Sequence, residues 1–183
     1  MRRHTDVSRC PRTQRGAAAV EFALVSLVFL PMLFGLIDYG LWFGDSINLK
    51  SGVREGVRRA VVQADVGTPC DSGSVDGVSY PTDFDKMRCV VKQEIGAISG
   101  PTSVMIKTTS QGWVKGAPLI VCALVKANGV TGLVPLPDSR LIRAKTQMSI
   151  ELDATKPSGV GASGVSSTSD AAPAGSGGWG WCA

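Results

Sequence analysis

Apolar residues follow one another without a polar stripe near the start of the chain, over residues 17–37. Glu21 is the only charged residue in this run, and Ser26, Pro31 and Gly35 are its only other breaks. A continuous helix over these 21 residues would be about 31 Å long, the thickness of the hydrocarbon core of a bilayer. The pattern therefore predicts one transmembrane helix over residues 17–38.

A cleaved secretory signal peptide is the alternative interpretation of this run. Its apolar region would normally cover about 7–15 residues and be followed by a small-residue cleavage site. Here the small residues, 16–19, precede the apolar run, which favours a membrane helix.

The helical pattern continues beyond the membrane, because no proline occurs over residues 39–64 and apolar residues recur there at intervals of three and four. This spacing marks one face of a helix. We expect a single rod of roughly 70 Å that ends near Val66 and Gly67. Two helices broken near Pro31 or Gly44 are the alternative. The predicted stripe consists of Tyr39, Trp42, Phe43, Leu49, Val53, Val57, Ala60, Val61 and Ala64.

Several glycines on the rod have a spacing that permits close contact between helices. Gly40 and Gly44, and likewise Gly52 and Gly56, are four positions apart. Gly35 is a further candidate for helix packing. The same spacing also arises by chance.

The rest of the chain up to residue 156 predicts a small α+β domain. Residues 67–82 have the composition of a loop, and Thr82 or Asp83 is placed to cap a second helix over residues 83–97. Its apolar positions are Phe84, Met87, Val91, Ile95 and Ile98.

Three strand-like runs follow this second helix, over residues 103–108, 117–127 and 141–152. The second run is almost continuously apolar, which predicts a central, well-covered strand. The third alternates between apolar and polar residues, which predicts an antiparallel strand with one solvated face. Residues 128–137 are predicted to form a loop. We expect a small antiparallel sheet whose inner face packs on the helical rod.

Glycine, serine, alanine and threonine fill nearly all of residues 157–178, and this composition predicts disorder. We therefore treat residues 157–183 as a flexible tail. Trp179, Trp181 and Cys182 at its end suggest that it docks on the protein, although a solvated tail explains them equally well.

Positive charge is concentrated before the apolar run. The chain has a net charge of +4, and residues 1–16, with five arginines and Asp6, carry all of it. The positive-inside rule then places this leader in the cytoplasm and residues 39–156 outside the membrane. Four cations beyond the predicted membrane span count against this orientation: Lys50, Arg54, Arg58 and Arg59. Basic residues elsewhere are scattered, so we expect no nucleic-acid partner.

Residues suited to catalysis are scarce. His4, the only histidine, lies in the leader, so its removal would exclude a histidine-dependent triad or a histidine-ligated metal. Asp83 and Asp85 lie near a helix start, where capping explains them better than catalysis. We expect no catalytic, cofactor-binding or metal-binding residue, no small-molecule substrate, and no enzyme activity.

Beyond the leader the chain has four cysteines, Cys70, Cys89, Cys122 and Cys182. An even number in an exported domain is typical of disulfides, and four cysteines allow three connectivities. We favour Cys70 with Cys89, worth roughly 3 kcal/mol, and Cys122 with Cys182, which would tie the tail to the sheet.

The residues around Gly16 resemble a class III prepilin cleavage site, because Arg15 and Gly16 are followed by Ala-Ala-Ala-Val and then Glu21 and Phe22. Residues 35–40 (Gly-Leu-Ile-Asp-Tyr-Gly) and 54–58 (Arg-Glu-Gly-Val-Arg) extend the likeness. Together they resemble the TadE-like minor pilins, or pseudopilins, of tight-adherence (Flp-type, type IV-like) pilus systems. The chain departs from that family at Leu27, where proline is common, and at Val57, where alanine is common. The resemblance covers residues 15–61.

This resemblance implies a pilin-like layout, with a prepilin peptidase cutting between Gly16 and Ala17. Glu21 would then lie one turn from the new amino terminus and could pair with it or with that of a neighbour. Alternatively, Glu21 only extends to the lipid headgroups. The implied partners are other pilin-like subunits, the pilus assembly platform and membrane lipid. The implied function is pilus biogenesis, secretion and adhesion from the inner membrane. An uncleaved single-pass envelope protein with a ligand- or partner-binding exodomain is the alternative.

Overall fold

The computed structural model describes residues 14–62, 70, 74–75, 78–96, 98–129, 131–132, 135–151, 156–161 and 164–183. The predictions for residues 1–13, His4 included, and for most of residues 63–77 lie outside these ranges. The helices are α1 Gln14–Val61 and α2 Asp83–Ile95. The strands are β1 Ser74–Val75, β2 Val78–Ser79, β3 Thr102–Thr108, β4 Pro118–Lys126, β5 Leu141–Ser149 and β6 Ser167–Ser169. Short 3₁₀ turns cover Pro137–Arg140 and Gly180–Cys182. The fold class is α+β, as predicted.

Helix α1 is a single uninterrupted rod of 48 residues, about 72 Å long at 1.5 Å per residue. The alternative of two helices broken at Pro31 or Gly44 is therefore wrong. Pro31 lies inside the helix, where it removes only one backbone hydrogen bond, the one to the carbonyl of Leu27. The helix ends at Val61, about one turn before the predicted end.

The buried face of α1 follows the predicted stripe only in its second half. Leu49, Val53 and Val57 are fully buried against the head, which we define as α2 and the sheet that packs with it on the second half of α1. Phe43, assigned to the same stripe, is 62 % exposed, because it points away from the face that carries the half-buried Trp42. The head therefore covers α1 only from its middle onward.

The main sheet is antiparallel with the strand order β5-β4-β3-β6. Helices α1 and α2 pack on one of its faces and enclose the core between helices and sheet. Strand β4 lies near the centre, and its inward residues Val121, Ala123 and Val125 are fully buried. The alternation of β5 is as predicted, since Ile142 and Ala144 are buried while the intervening positions are exposed.

Helix α2 begins and ends where its sequence signals predict. Thr82 is the N-cap: its hydroxyl accepts a hydrogen bond from the backbone N–H of Asp85 at 3.1 Å and donates to the Asp85 carboxylate at 2.7 Å. Gly96 ends the helix at φ 68°, a conformation that favours glycine. The helix stops at Ile95 rather than at residue 97 for this reason.

The predicted loop over residues 67–82 contains regular structure that the composition did not indicate. Strands β1 and β2 form a two-residue hairpin in which Val75 pairs with Val78. The intervening dipeptide is Asp-Gly, which favours tight hairpin turns. The loop prediction is therefore wrong for these two short strands.

The flexible-tail prediction is wrong for the described part of residues 157–183. Strand β6 pairs antiparallel with β3, with Thr168 opposite Ile106. Beyond it, Cys182 is joined to Cys122 on the outer face of β4. Cys122 and Leu124 alternate with the inward residues of β4, yet both are fully buried. The tail therefore lies over the outer face of the sheet, which explains why β4 is apolar on both sides.

Ion pairs fix the tail to α2. Asp170 lies 3.4 Å from Arg88 Nε and 2.9 Å from Lys92 Nζ, and its side chain also accepts the backbone N–H of Val104 at 3.0 Å. Thr168 donates its hydroxyl to Asp85. Burial raises the pKa of the Asp85 carboxyl. The hydrogen bonds from the hydroxyls of Thr168 and Thr82 and the charge of nearby Arg88 lower the pKa by more, so it lies below its ordinary value.

Candidate functional site

The predicted cleavage site lies on an exposed part of α1. The helix begins at Gln14, so the peptide bond between Gly16 and Ala17 is in its first turn. Both residues are exposed, and a Cβ atom added at Gly16 would meet no other group within 4 Å. Nothing in the described residues obstructs the approach of a protease to this bond.

Glu21 and Phe22 lie about one turn farther along the helix. Glu21 is exposed, and Phe22 is 74 % exposed. Glu21 lies four positions after Ala17, which is about 6 Å along the helix axis. If the chain were cut before Ala17, the new ammonium group would therefore lie one turn from the carboxylate of Glu21.

The apolar half of α1 is mostly exposed in the described structure. Leu27, Met32 and Leu36 are 73–75 % exposed, and the most apolar 18-residue window of the helix contains no buried residue. This helix is long and apolar enough to cross a membrane. Its bare surface would require lipid or other apolar helices around it.

A buried carboxylate marks the point where α1 meets the head. Asp38 is 2 % exposed and accepts hydrogen bonds from the backbone N–H of Thr131, at 3.3 Å, and from the Thr131 hydroxyl. One residue later, the hydroxyl of Tyr39 donates to the carbonyl oxygen of Pro135 at 3.5 Å. These bonds tie the loop between β4 and β5 to the end of the predicted membrane span.

Gly52 and Gly56 lie directly against α2. A Cβ atom at Gly52 would come within 2.4 Å of the Cα atom of Ile95, and one at Gly56 within 2.8 Å of the Cα atom of Val91. Both glycines are buried. This pair therefore sets the distance between the two helices of the head.

The other three candidate packing glycines lie closer to the amino-terminal end of α1. Gly40 and Gly44 would place a Cβ atom within 4 Å of no other group, and Gly35 is half-buried. In the described structure, Gly52 and Gly56 make close contact with a neighbouring helix, and Gly40 and Gly44 do not.

The Arg-Glu-Gly-Val-Arg segment combines this packing with ion pairing. Glu55 accepts from the guanidinium groups of Arg58 at 3.1 Å and Arg59 at 3.3 Å, which lowers its pKa. Arg59 also reaches Glu94 of α2 at 2.8 Å. Arg59, the residue after the segment, therefore joins α1 to α2 on the surface, and Gly56 of the segment packs against α2 inside.

Both disulfides have the connectivity favoured from the sequence. Cys70 is bonded to Cys89 on α2, and Cys122 on β4 is bonded to Cys182. The first staples the hairpin region to a helix, and the second staples the tail to the sheet.

Asp83 and Asp85 have structural roles. Asp83 accepts hydrogen bonds from the hydroxyl of Ser158 at 2.8 Å and from its backbone N–H at 3.2 Å, and these bonds lower its pKa. Asp85 belongs to the N-cap of α2 and pairs with the tail. Among the described residues, no three histidine, cysteine or acidic side chains are grouped as a metal site would require.

These features define an α+β head on a long helix whose first half is exposed and could span a membrane, as in a single-pass membrane protein. Residues 16–58 match the family model described as "TadE-like protein". This segment of the chain is therefore TadE-like, as its motifs predicted. Neither a curated protein nor a solved structure significantly resembles the chain.

Neither the role of Asp38 nor the pairing of Asp170 with Arg88 was predicted from the sequence. The position of Asp38, an acid at the end of an apolar run, is a signal for the first. The apolar outer positions of β4 indicate that another segment covers this face, and the tail does so through Cys182.

Proposed function

We propose that the chain is a minor pilin or pilus assembly subunit of a tight-adherence system, and that a prepilin peptidase cuts it between Gly16 and Ala17. The observation that carries this proposal is the position of the TadE-like match. It begins at Gly16, the residue that would end the leader, and that residue is exposed on the first turn of α1.

Cutting would change the electrostatics of the helix end. It would remove the basic leader and create an ammonium group at Ala17, one turn from Glu21. A carboxylate in an apolar environment is costly unless an opposite charge compensates it. Pairing of Glu21 with its own or a neighbour's ammonium would favour one axial register between packed helices.

We propose that the leader faces the cytoplasm and that the head lies outside the inner membrane. The leader has a charge of +4 and precedes the span, as the positive-inside rule requires. The two disulfides of the head support the same orientation, because disulfides persist in oxidising compartments. The exposed apolar surface of α1 would contact lipid first and then the helices of other pilin-like subunits and of the assembly platform.

We also propose a non-enzymatic role in adhesion and secretion. The acids that stand near a helix start, Asp83 and Asp85, serve the capping and docking of α2. In this proposal the chemistry is carried out on the protein by the peptidase.

Co-expression with a prepilin peptidase tests the proposal. The intact mass should fall by the mass of residues 1–16, and Gly16→Val should abolish this decrease. Gly44→Val is the matched control, since it places the same side chain on the same helix away from the cleavage site, and it should be cut normally. An unchanged mass for the wild-type chain would contradict processing and leave the uncleaved single-pass envelope protein.

A second variant separates processing from assembly. Glu21→Gln should be cut like the wild type, because the bond at Gly16 is unchanged, but should be lost from sheared pilus fractions or from cross-linked pilin complexes. Normal recovery of this variant in those fractions would contradict the role given to Glu21.

A further inference from the structure

Strand β5 is an open edge of the main sheet. Its only neighbour among the described strands is β4. At the two ends of this ladder, the N–H of Ala127 donates to the carbonyl of Arg140 and the N–H of Ile150 donates to the carbonyl of Ala117. In an antiparallel pair, residues bonded to the neighbour alternate with residues whose backbone groups face away. The register therefore directs the backbone groups of odd-numbered β5 residues toward the open edge.

Positive charge surrounds this edge. A cleft of about 280 Å³ lies between β5 and α1, and its lining includes Lys50, Arg54, Arg143 and Lys145. Arg143 lies 3.0 Å from one acid, Asp138. Lys145 Nζ donates to the carbonyl oxygen of Ala183. Lys50 and Arg54 form no ion pair with any other residue in the described ranges. The cleft therefore carries an excess of cations.

The spacing of these cations matches an extended chain. Lys50 and Arg54 are four residues apart on a helix, about 6 Å along its axis. Arg143 and Lys145 are two residues apart on a strand, about 6.7 Å. Alternate side chains of an added strand repeat at the same distance. Successive side chains of an added strand point to opposite faces of the sheet, so acids on one face would meet Lys50 and Arg54 of α1, and acids on the other face would meet Arg143 and Lys145 of β5.

The same charges count against two other occupants. A second copy of β5 would place Arg143 and Lys145 near their own counterparts, and like charges across a strand pair are destabilising. Lipid headgroups are too distant, since Lys50 follows Ile37 by 13 residues, about 20 Å of helix, whereas the headgroup layer is only about 5–7 Å deep.

We propose that the edge of β5 binds an extended acidic segment of a partner protein, which adds to the sheet as a further strand. Backbone hydrogen bonds would supply part of the affinity, and the four cations would select acidic segments over neutral or basic ones. This proposal requires only the fold of the head and is independent of cleavage after Gly16.

Fluorescence anisotropy on the full chain in non-ionic detergent tests the charge component. The probe is a fluorescein-labelled eight-residue peptide of six glutamates flanked by two threonines, which presents acids on both faces of an added strand. We expect saturable binding that salt weakens, and an increase in Kd of about tenfold or more for K50Q/R54Q and for R143Q/K145Q. The matched control K115Q/K126Q removes two exposed lysines elsewhere and should keep Kd within about twofold.

Two further arms test the backbone component. Methylating alternate amides of the peptide should abolish binding without any change in the protein, which separates lost binding from lost folding. Gln147→Pro should weaken binding, since it removes a backbone N–H that faces the open edge and not β4, whereas Gln147→Thr should not.

Four results would overturn the proposal. They are no saturable binding, equal binding of a lysine–threonine peptide, an equal loss in K115Q/K126Q, and full binding of the methylated peptide. The last result, together with competition by polygalacturonate, would indicate a site for acidic polymers instead of an added strand.

Discussion

Replacing Gly52 with alanine should destabilise the head, although alanine is the better helix former. The new Cβ atom would lie 2.4 Å from the Cα atom of Ile95 and 2.7 Å from the carbonyl oxygen of Glu94. Both neighbours are backbone atoms of α2, so no side-chain rotation relieves the contact. Helix α2 would have to move by about 1.1–1.6 Å to restore an ordinary carbon–carbon separation of about 3.5–4.0 Å.

The magnitude follows from two opposing effects. Overpacking a tightly packed core costs about 1–3 kcal/mol, and a backbone contact belongs at the upper end of that range. The change from glycine to alanine in a helix returns about 1 kcal/mol. We therefore expect a net loss of about 1–2 kcal/mol in the free energy of unfolding, or roughly 2–8 °C in Tm for a chain of this size.

Urea unfolding of the full chain in detergent micelles, followed by tryptophan fluorescence, measures this loss. Gly44→Ala is the matched control, because a Cβ atom there meets nothing within 4 Å, and it should leave the head unchanged or slightly more stable. If Gly52→Ala were as stable as Gly44→Ala, the close contact between α1 and α2 would not be what holds the head on the rod.

Three further variants probe the disulfide of the tail, the contact between Asp38 and Thr131, and the dependence of stability on pH. Cys182→Ser opens a disulfide between residues 60 positions apart and should cost roughly 4 kcal/mol in the chain-entropy model, seen as a lower urea midpoint; an unchanged midpoint would contradict this. Asp38→Ala removes the carboxylate that accepts hydrogen bonds from Thr131 and should lower the free energy of unfolding by about 1–3 kcal/mol. The Thr131 amide should then exchange its hydrogen faster. Equal exchange rates in the variant and the wild type would contradict the stabilising contact between Asp38 and Thr131. The folded-state pKa of Asp85 is lowered, so its contribution is present above about pH 4 and lost as the pH falls through the folded pKa. Thermal melts should therefore show a smaller acid-induced loss for Asp85→Asn than for the wild type, and parallel pH profiles would contradict this.

The sequence predicted the rod and strand β5 because each buries one face over many residues. The stripe through Leu49, Val53 and Val57 repeats at helical spacing, and β5 alternates over its whole length. In both cases local spacing and tertiary packing demand the same structure. The motif around Gly16 could be recognised for a similar reason, because all its residues are close together in the chain.

The ordered tail was not predictable from composition. Strand β6 reads Ser-Thr-Ser and buries no large apolar side chain. Its order comes from backbone pairing with β3, from the ion pairs of Asp170 with Arg88 and Lys92, and from the disulfide at Cys182. The disulfide was predicted from the cysteine count, but the strand pairing and the ion pairs join residues distant in sequence, and a composition rule based on apolar burial missed them.

The junction at Asp38 escaped prediction for the same physical reason. Its partner Thr131 lies 93 residues away, and no local pattern links the two. A single acid after an apolar run indicates the end of a span, but only the fold shows that the β4–β5 loop reaches it.

Amino-terminal mass spectrometry of the protein extracted from its native cell envelope tests the proposed processing most directly. If a prepilin peptidase acts on the chain, the first residue recovered is Ala17 and no peptide from residues 1–16 remains attached. Recovery of the intact amino terminus at Met1 would contradict processing and the pilin role built on it.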